Sequence, residues 1–379
     1  MARRSRELEA EGRDIINLSL GEPDFNTPEP IKEAAKKAIE DNYSHYMPVN
    51  GYAELREAIS KKFERDNGLA YGPEQIVVST GAKQSIANAV LSLVDPGEEV
   101  ILPAPYWVTY FEIVKMAGGI PKFLPTSVDD DYKIKAGQVR EVLSDKTKLF
   151  LFSSPCNPSG SVYAPEELEA LGQALQEKEE LYAISDEIYE LIDFKEEHAS
   201  LANVPGMKER TIIVNGVSKG FAMTGWRIGY MAAPEWIAKA CTKMQGQFTS
   251  GASSIAQKAA EAAVTADPEL TLNMRKAFLA RRDLVLEGLS GNEGMRANRP
   301  EGAFYVFPDV SAYFGARYEG GNIRNASDLS MYLLEEANVA TVTGEAFGTP
   351  ECLRLSYAAS EEQLKKGLAR IEEALSKLS

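Results

Sequence analysis

Short β-rich apolar runs alternate with helix-patterned segments from about residue 30 to residue 265, and no other feature constrains the fold as tightly. The runs lie at 76–80, 100–102, 148–153, 181–185, 211–214 and 228–232, with helical patterns at 83–94, 106–117 and 165–178 between them. The runs are largely apolar, without polar alternation. A strand with water on one face alternates; a strand covered on both faces does not. Strands joined by helices lie parallel, because the helix carries the chain back across the sheet. The sequence thus predicts an α/β fold with a mostly parallel sheet between helices. A long helical pattern follows from about 268 to 289. Strands at 303–307, 339–342 and 352–357, helices at 326–337 and 361–378, and a loop at 315–325 complete the chain. This last third reads as a smaller α+β domain. The expected division is residues 25–280 for the large domain, and 1–24 with 281–379 for the small one. No long linker separates them, so they should pack closely.

Composition narrows the function. The 379 residues are 44% hydrophobic, enough for a large core, and carry a net charge of −15. That charge repels phosphate backbones, so no nucleic-acid groove is expected, and basic residues must act locally. No apolar run reaches membrane-spanning length. The basic start, Ala2-Arg3-Arg4-Ser5-Arg6, has no apolar region after it, so it is not read as a secretory signal. Cys156, Cys241 and Cys352 are far apart and odd in number, which fits a reducing cytosol and a cytoplasmic protein. With only His45 and His198, neither a His-rich metal site nor a Ser-His-Asp triad is expected, and lysine becomes the better proton carrier. The chain has no Gly-Lys dipeptide and therefore no Walker A loop.

Chemistry gathers at the carboxyl ends of strands in open α/β sheets. The run 76–80 leads into Gly81-Ala82-Lys83 at a helix start, where free amides and the helix dipole suit an anion. An ordinary strand-to-helix turn reads the same way. The run 148–153 leads into Asn157-Pro158-Ser159-Gly160, whose amide can donate to a phenolate-type oxygen or simply shape a turn. The run 181–185 leads into Asp186-Glu187-Ile188-Tyr189. A carboxylate beyond an apolar run needs a partner, and a protonated pyridine nitrogen is one; a helix N-cap is the other reading. Tyr189 would share its side if a helix began here. The run 211–214 delivers Ser218, Lys219 and, eight residues on, Arg227. One amine suited to covalent catalysis beside two phosphate-holding groups points to an aldehyde cofactor with a phosphate handle, pyridoxal 5'-phosphate (PLP). Arg354, a charge within the apolar run 352–357, suits bidentate capture of a carboxylate or faces water on an edge.

In order and spacing these elements resemble the fold-type I PLP aminotransferases (class I/II), in the aspartate aminotransferase group. The resemblance runs from Ile16-Asn17-Leu18-Ser19-Leu20-Gly21-Glu22-Pro23-Asp24-Phe25 to Arg354-Leu355-Ser356-Tyr357-Ala358. The Asn-Pro-x-Gly, Ser-Asp-Glu-x-Tyr and Ser-Lys-x-x-x-x-x-Gly-x-Arg-x-Gly elements are intact. The resemblance implies that Lys219 forms the Schiff base with PLP and shuttles the proton. It implies that Asp186 pairs with the pyridine nitrogen, and that Tyr189 and Asn157 hydrogen-bond the ring hydroxyl oxygen. Ser218, Arg227 and the Gly81-Ala82 backbone would hold the phosphate. Tyr46 would reach it from a neighbouring subunit, which implies a homodimer with shared sites. Trp107 would stack on the ring, although a core tryptophan reads the same. Arg354 would clamp the substrate α-carboxylate with Asn157 and the Gly21 backbone.

The implied reaction moves an amino group from aspartate or glutamate to a 2-oxo acid such as 2-oxoglutarate, in a ping-pong cycle between PLP and pyridoxamine phosphate. The chain is similar to the bacterial subgroup with Gly-x-Lys-Gln at the phosphate turn. There, Lys83 would read the distal carboxylate, or it would only raise the local potential near the phosphate. Prephenate, alanine, aromatic or kynurenine-type aminotransferases, and PLP β-lyases, share the same cofactor residues. A PLP-binding regulator would need a DNA-binding helical domain, for which the chain has neither room nor charge. About a dozen residues precede the Ile16-Asn17-Leu18 segment, fewer than the family's usual N-terminal arm, so an incomplete distal pocket is one expectation.

Overall fold

The computed structural model describes residues 2–195 and 198–379. Among these, a seven-stranded sheet forms the centre. Its strands are Ile76–Ser79 (β1), Glu99–Ala104 (β2), Ile120–Pro125 (β3), Thr147–Ser153 (β4), Tyr182–Asp186 (β5), Thr211–Gly216 (β6) and Gly229–Ala232 (β7). The spatial order is β1-β7-β6-β5-β4-β2-β3. Only β7 runs against its neighbours, pairing antiparallel with both β1 and β6. All other pairs are parallel, as apolar runs separated by helices require.

Strands β1, β2, β4, β6 and β7 are buried at nearly every residue, even β1 at one edge of the sheet. β3 is the exception. It lies at the sheet edge, and only Leu124 is buried. An edge strand facing water carries no continuous apolar run, which is why the sequence pattern passed over it. Helices cover both faces. Ala82–Leu93, Val108–Met116 and Glu235–Phe248 pack on one side, where Ile86, Val90, Tyr110 and Ile237 meet Val77, Leu151 and Val214. Ala53–Asn67 and Ser254–Thr265 pack on the other, where Ile59 and Phe63 meet Val78 and Ile213.

The C-terminal third builds a second core around Phe304, Leu333, Leu355 and Ile371. Its three-stranded sheet is antiparallel, with Leu353–Ser356 between Tyr305–Val306 and Val342–Thr343. The N-terminal segment belongs to this core: Ile16–Asn17 pairs in parallel with Val339–Ala340, and Leu18 is buried in the cluster. The expected run 303–307 shortens to two residues, and 339–342 splits into two strands of different sheets. The expected loop at 315–325 instead contains a small hairpin, Arg317–Tyr318 with Gly321–Asn322.

Candidate active site

The carboxyl ends of β4, β5 and β6 open into a cavity of about 540 Å³, closed from the far side by Arg354 and Phe347 of the C-terminal third. Asp186, the last residue of β5, lies in register with Ser153 and Val214. It is 4% exposed. One carboxylate oxygen accepts the Tyr110 hydroxyl at 2.6 Å, and the other accepts the Ile188 amide at 3.2 Å. Burial pushes its pKa up to about 6, against the pull of those two hydrogen bonds and the Lys219 charge. Such a carboxylate lacks a direct cationic partner. The chain beyond it makes a turn and a short 3₁₀ segment, Glu190–Ile192, rather than an α-helix. Tyr189 therefore lines the cavity through the turn and not by helical stacking.

Lys219 stands opposite, three residues beyond β6. Its Nζ donates to the Gly21 carbonyl oxygen. Burial lowers its pKa to about 8; Glu22 opposes that shift, and Arg354 and Arg227 reinforce it. Roughly a tenth is then free amine at about pH 7, far more than for an ordinary lysine, and the free amine is the form a nucleophile needs. A Cβ on Gly220 would strike the Leu191 side chain, so the residue after Lys219 must be small.

The anion-binding end is built from backbone. Gly81 has φ +83° and caps the helix Ala82–Leu93, whose first-turn amides have no partner within the helix. A Cβ on Gly81 would collide with the Arg227 guanidinium, and one on Gly229 would collide with the Ala82 amide nitrogen. The Gly-x-Arg-x-Gly spacing thus brings bare backbone, free amides and a cation together. Arg227 itself holds φ +57°, a conformation that costs a non-glycine residue on the order of 1 kcal/mol. Ser218 is buried beside them.

Arg354 is 7% exposed and sits 4.4 Å from the Tyr305 ring and 5.1 Å from the Phe347 ring. It donates to Asn157 Oδ1 at 2.9 Å and to the Ser19 carbonyl at 2.8 Å. Its buried Nε has no partner among the described residues. Because Asn157 accepts through its oxygen, its NH₂ remains available to the cavity. The Tyr189 and Tyr305 hydroxyls lie 2.9 Å apart. At the mouth, Lys83 Nζ stands 4.9 Å over the Trp107 ring, and both line the cavity.

One expected site residue is not brought in. Tyr46 is fully exposed and absent from the cavity wall of its own chain. Four others were missed by sequence reasoning: Tyr110, Tyr305, Phe347 and Glu22. Tyr110 had a signal, since it lies three residues after Trp107 and shares its helical face. Tyr305 and Phe347 read only as core aromatics.

The profile of the family described as aminotransferase class I and II matches residues 13–371. The chain belongs to that family. It is 48% identical over 369 residues to a bifunctional aspartate aminotransferase and glutamate/aspartate-prephenate aminotransferase of Petunia hybrida, covering 96% of this chain and 77% of that one. It is 44% identical to an aspartate/prephenate aminotransferase of Cereibacter sphaeroides, covering 97% and 93%. The crystal structure of the aspartate aminotransferase of Rhizobium meliloti superposes with a TM-score of 0.97 at 40% identity, covering 100% of this chain and 95% of that one. That of Thermus thermophilus with maleate gives 0.92 at 41%, covering 98% and 95%.

This aminotransferase has the fold-type I architecture and depends on PLP. The residues present fit that cofactor. The glycine cradle would receive a phosphate, Asp186 has no direct cationic partner among the described residues, burial brings the pKa of the Lys219 amine down to about 8, and the Asn157 amide is free to donate. Amino acids and 2-oxo acids are its substrates. No helix among the described residues is long and apolar enough to cross a membrane.

Proposed function

We propose that the protein moves the amino group of aspartate, or glutamate, to a 2-oxo acid such as 2-oxoglutarate. The observation that carries this reading is a pair of cations about one cavity, Arg354 at its back with an unspent Nε and Lys83 at its mouth. A dicarboxylic amino acid satisfies both; a monocarboxylic one leaves Lys83 unused. The names of the relatives and the maleate of the Thermus thermophilus structure support the same substrate class.

Bound PLP supplies an electron sink for the substrate Cα and a carrier for its nitrogen. The protein's part is orientation and proton transfer. Arg354 holds the α-carboxylate, its guanidinium fixed by Asn157 and Ser19 and by the Tyr305 and Phe347 rings. Lys219 Nζ takes the proton from the substrate Cα, for which a pKa near neutrality is suited. Asp186, with Tyr110 behind it, would keep the ring nitrogen protonated. Tyr189 and Asn157 would hold the ring hydroxyl oxygen, with Trp107 beside the ring. Ser218, Arg227 and the Gly81-Ala82 backbone would anchor the phosphate, with Lys83 adding positive potential. Both substrates use the same Arg354 clamp in turn. Prephenate, a larger dicarboxylic acceptor, belongs to the same proposal because the two relatives above carry it in their names.

A homodimer with shared sites and a cytoplasmic location complete the reading. Full exposure of Tyr46 suits its use in a second copy's cavity, and a monomer by light scattering would refute that assembly. Three unpaired buried cysteines suit a reducing compartment, which cell fractionation tests. The large unit is placed at 25–280 and the small one at 1–24 with 281–379; the continuous helix Glu269–Ser290 would bridge them.

The test is the absorption spectrum of the PLP-loaded protein before and after aspartate alone. The expected result is loss of the visible cofactor band and gain of the near-ultraviolet band of the aminated cofactor. A band indifferent to aspartate would remove the dicarboxylic donor while leaving the family intact.

A further inference from the structure

Glu187 follows Asp186 in the chain, and strand alternation turns it to the opposite face of the sheet. There it is fully buried. Its Oε1 accepts the hydroxyls of Ser185 at 2.7 Å and Ser200 at 2.6 Å. Its Oε2 lies 3.3 Å from His198 Nε2, while His198 Nδ1 lies 3.1 Å from Asp193 Oδ2. Both ring nitrogens therefore face carboxylate oxygens. A neutral imidazole has one N–H and would set its bare lone pair against an anion; an imidazolium donates to both.

Among the described residues, the other charged groups around it are accounted for. Glu190 pairs with Lys62 of the helix Ala53–Asn67 and accepts Asn67 Nδ2 at 3.0 Å. Tyr71 and Tyr230 stay neutral, because burial raises their pKa. Arg65 and Asp66 pair with each other at 2.5 Å. Among the described residues, Glu187, Glu190 and Asp193 thus face two cations, His198 and Lys62. Glu187, Glu190 and His198 also group closely enough for a metal ion. The Lys62 ammonium on Glu190 and the hydrogen-bond distances at His198 assign the bridging to protons.

Resting on the reading of Asp186 as partner of the cofactor's ring nitrogen, we propose that the His198 imidazolium is a positioning residue for Asp186. It cancels the Glu187 charge directly behind the cavity and ties the end of β5 to the 198–203 segment. Two further facts agree. Burial raises the Asp186 carboxyl most, and the Glu187 charge adds to that rise. Burial works against the His198 charge, but hydrogen bonds to Asp193 and Glu187 overcome it and raise the ring to about 10.

The test uses the PLP-loaded enzyme and the pH midpoint of its visible cofactor absorbance. His198→Gln leaves Glu187 uncompensated and moves the midpoint up by about half a pH unit or more. Glu187→Gln moves it down, and the double variant returns it to the wild-type value. Folded single variants that do not move the midpoint, or move it the same way, overturn the proposal, because a merely structural role changes stability without opposite signs. If the single variants fail to fold, ¹³C-histidine NMR of the wild type decides, with His45→Gln assigning the two signals. His198 stays protonated at about pH 8; a neutral ring at about pH 7 overturns the proposal. Asp186→Asn separates the two readings. A wild-type titration and turnover in that variant sink the Asp186 role itself, whereas a large effect there with a silent His198→Gln sinks only this inference.

Discussion

Two sets of buried ionisable groups stand back to back on the end of β5, and they are built by opposite rules. Behind the sheet, Glu187 accepts two hydroxyls and faces His198, Asp193 faces the same ring, and Glu190 holds Lys62. In front, among the described residues, Asp186 has only a phenol and an amide, Lys219 has only a carbonyl, and the Arg354 Nε has nothing. Burial alone does not mark a functional group, since Glu187 is more buried than Asp186. What distinguishes the front set is that its charged groups, Asp186, Lys219 and Arg354, leave bonding capacity unused by the fold. A self-satisfied network stabilises the chain, while an unsatisfied one costs stability that a ligand then returns.

The contrast breaks most visibly at Lys219. Lys219→Ala should lower turnover by at least about 10⁴-fold, while PLP still binds noncovalently and dialyses away. Turnover near wild type would remove Lys219 as the reactive amine. Asp186→Asn keeps the shape and removes the charge. Turnover should fall by roughly 10²- to 10³-fold, with a weaker effect identifying Asp186 as a turn former only. Steady-state kinetics on purified, PLP-saturated protein reads both.

How much of this was legible in the sequence follows the same physics. Fully buried strands announced themselves as apolar runs, and the elements at their carboxyl ends carried the site by spacing. Lys219, Asp186, Asn157, Arg227 and the Gly81 turn lie together as that spacing requires. β3 was illegible because it faces water and so has no need of a continuous apolar run, whereas the other edge strand, β1, is covered and was legible. Tyr189 was placed for the wrong reason, since a turn and not a helix follows Asp186. Tyr305 and Phe347, whose rings lie against Arg354, come from the C-terminal third, and nothing local distinguishes them from core aromatics. His198 was read only as one of two histidines. Its role depends on Asp193 and Glu187, which no motif links to it.

Lys83 sharpens the comparison at the cavity mouth, where solvent weakens charge. Its ammonium lies over Trp107 and is exposed. Lys83→Ala should raise KM for aspartate about 10-fold, with a smaller change for alanine and little change in kcat. Equal effects on both amino acids would confine Lys83 to the phosphate end.

The smallest effects are on stability, and there the two clusters should answer with opposite signs. The folded pKa of Asp186, about 6, is above its ordinary 3.8. The stabilisation from its protonated form is therefore present below 3.8 and lost as pH rises through 6. In the cofactor-free protein at about pH 7 the buried charge is a full penalty. Asp186→Asn should therefore raise Tm by about 2 °C, and the gain should vanish near pH 4. His198 also has a raised folded pKa, about 10 against 6.5, but here the charged form is the paired one. Its contribution is complete below 6.5 and is lost as pH climbs through 10. His198→Gln should lower Tm most near pH 6, with the gap closing toward pH 10. Scanning calorimetry of the two cofactor-free variants across that range gives both curves. Two variants that destabilise alike at every pH would mean that front and back of β5 are one structural network, and the distinction between spent and unspent bonding would fail for this protein.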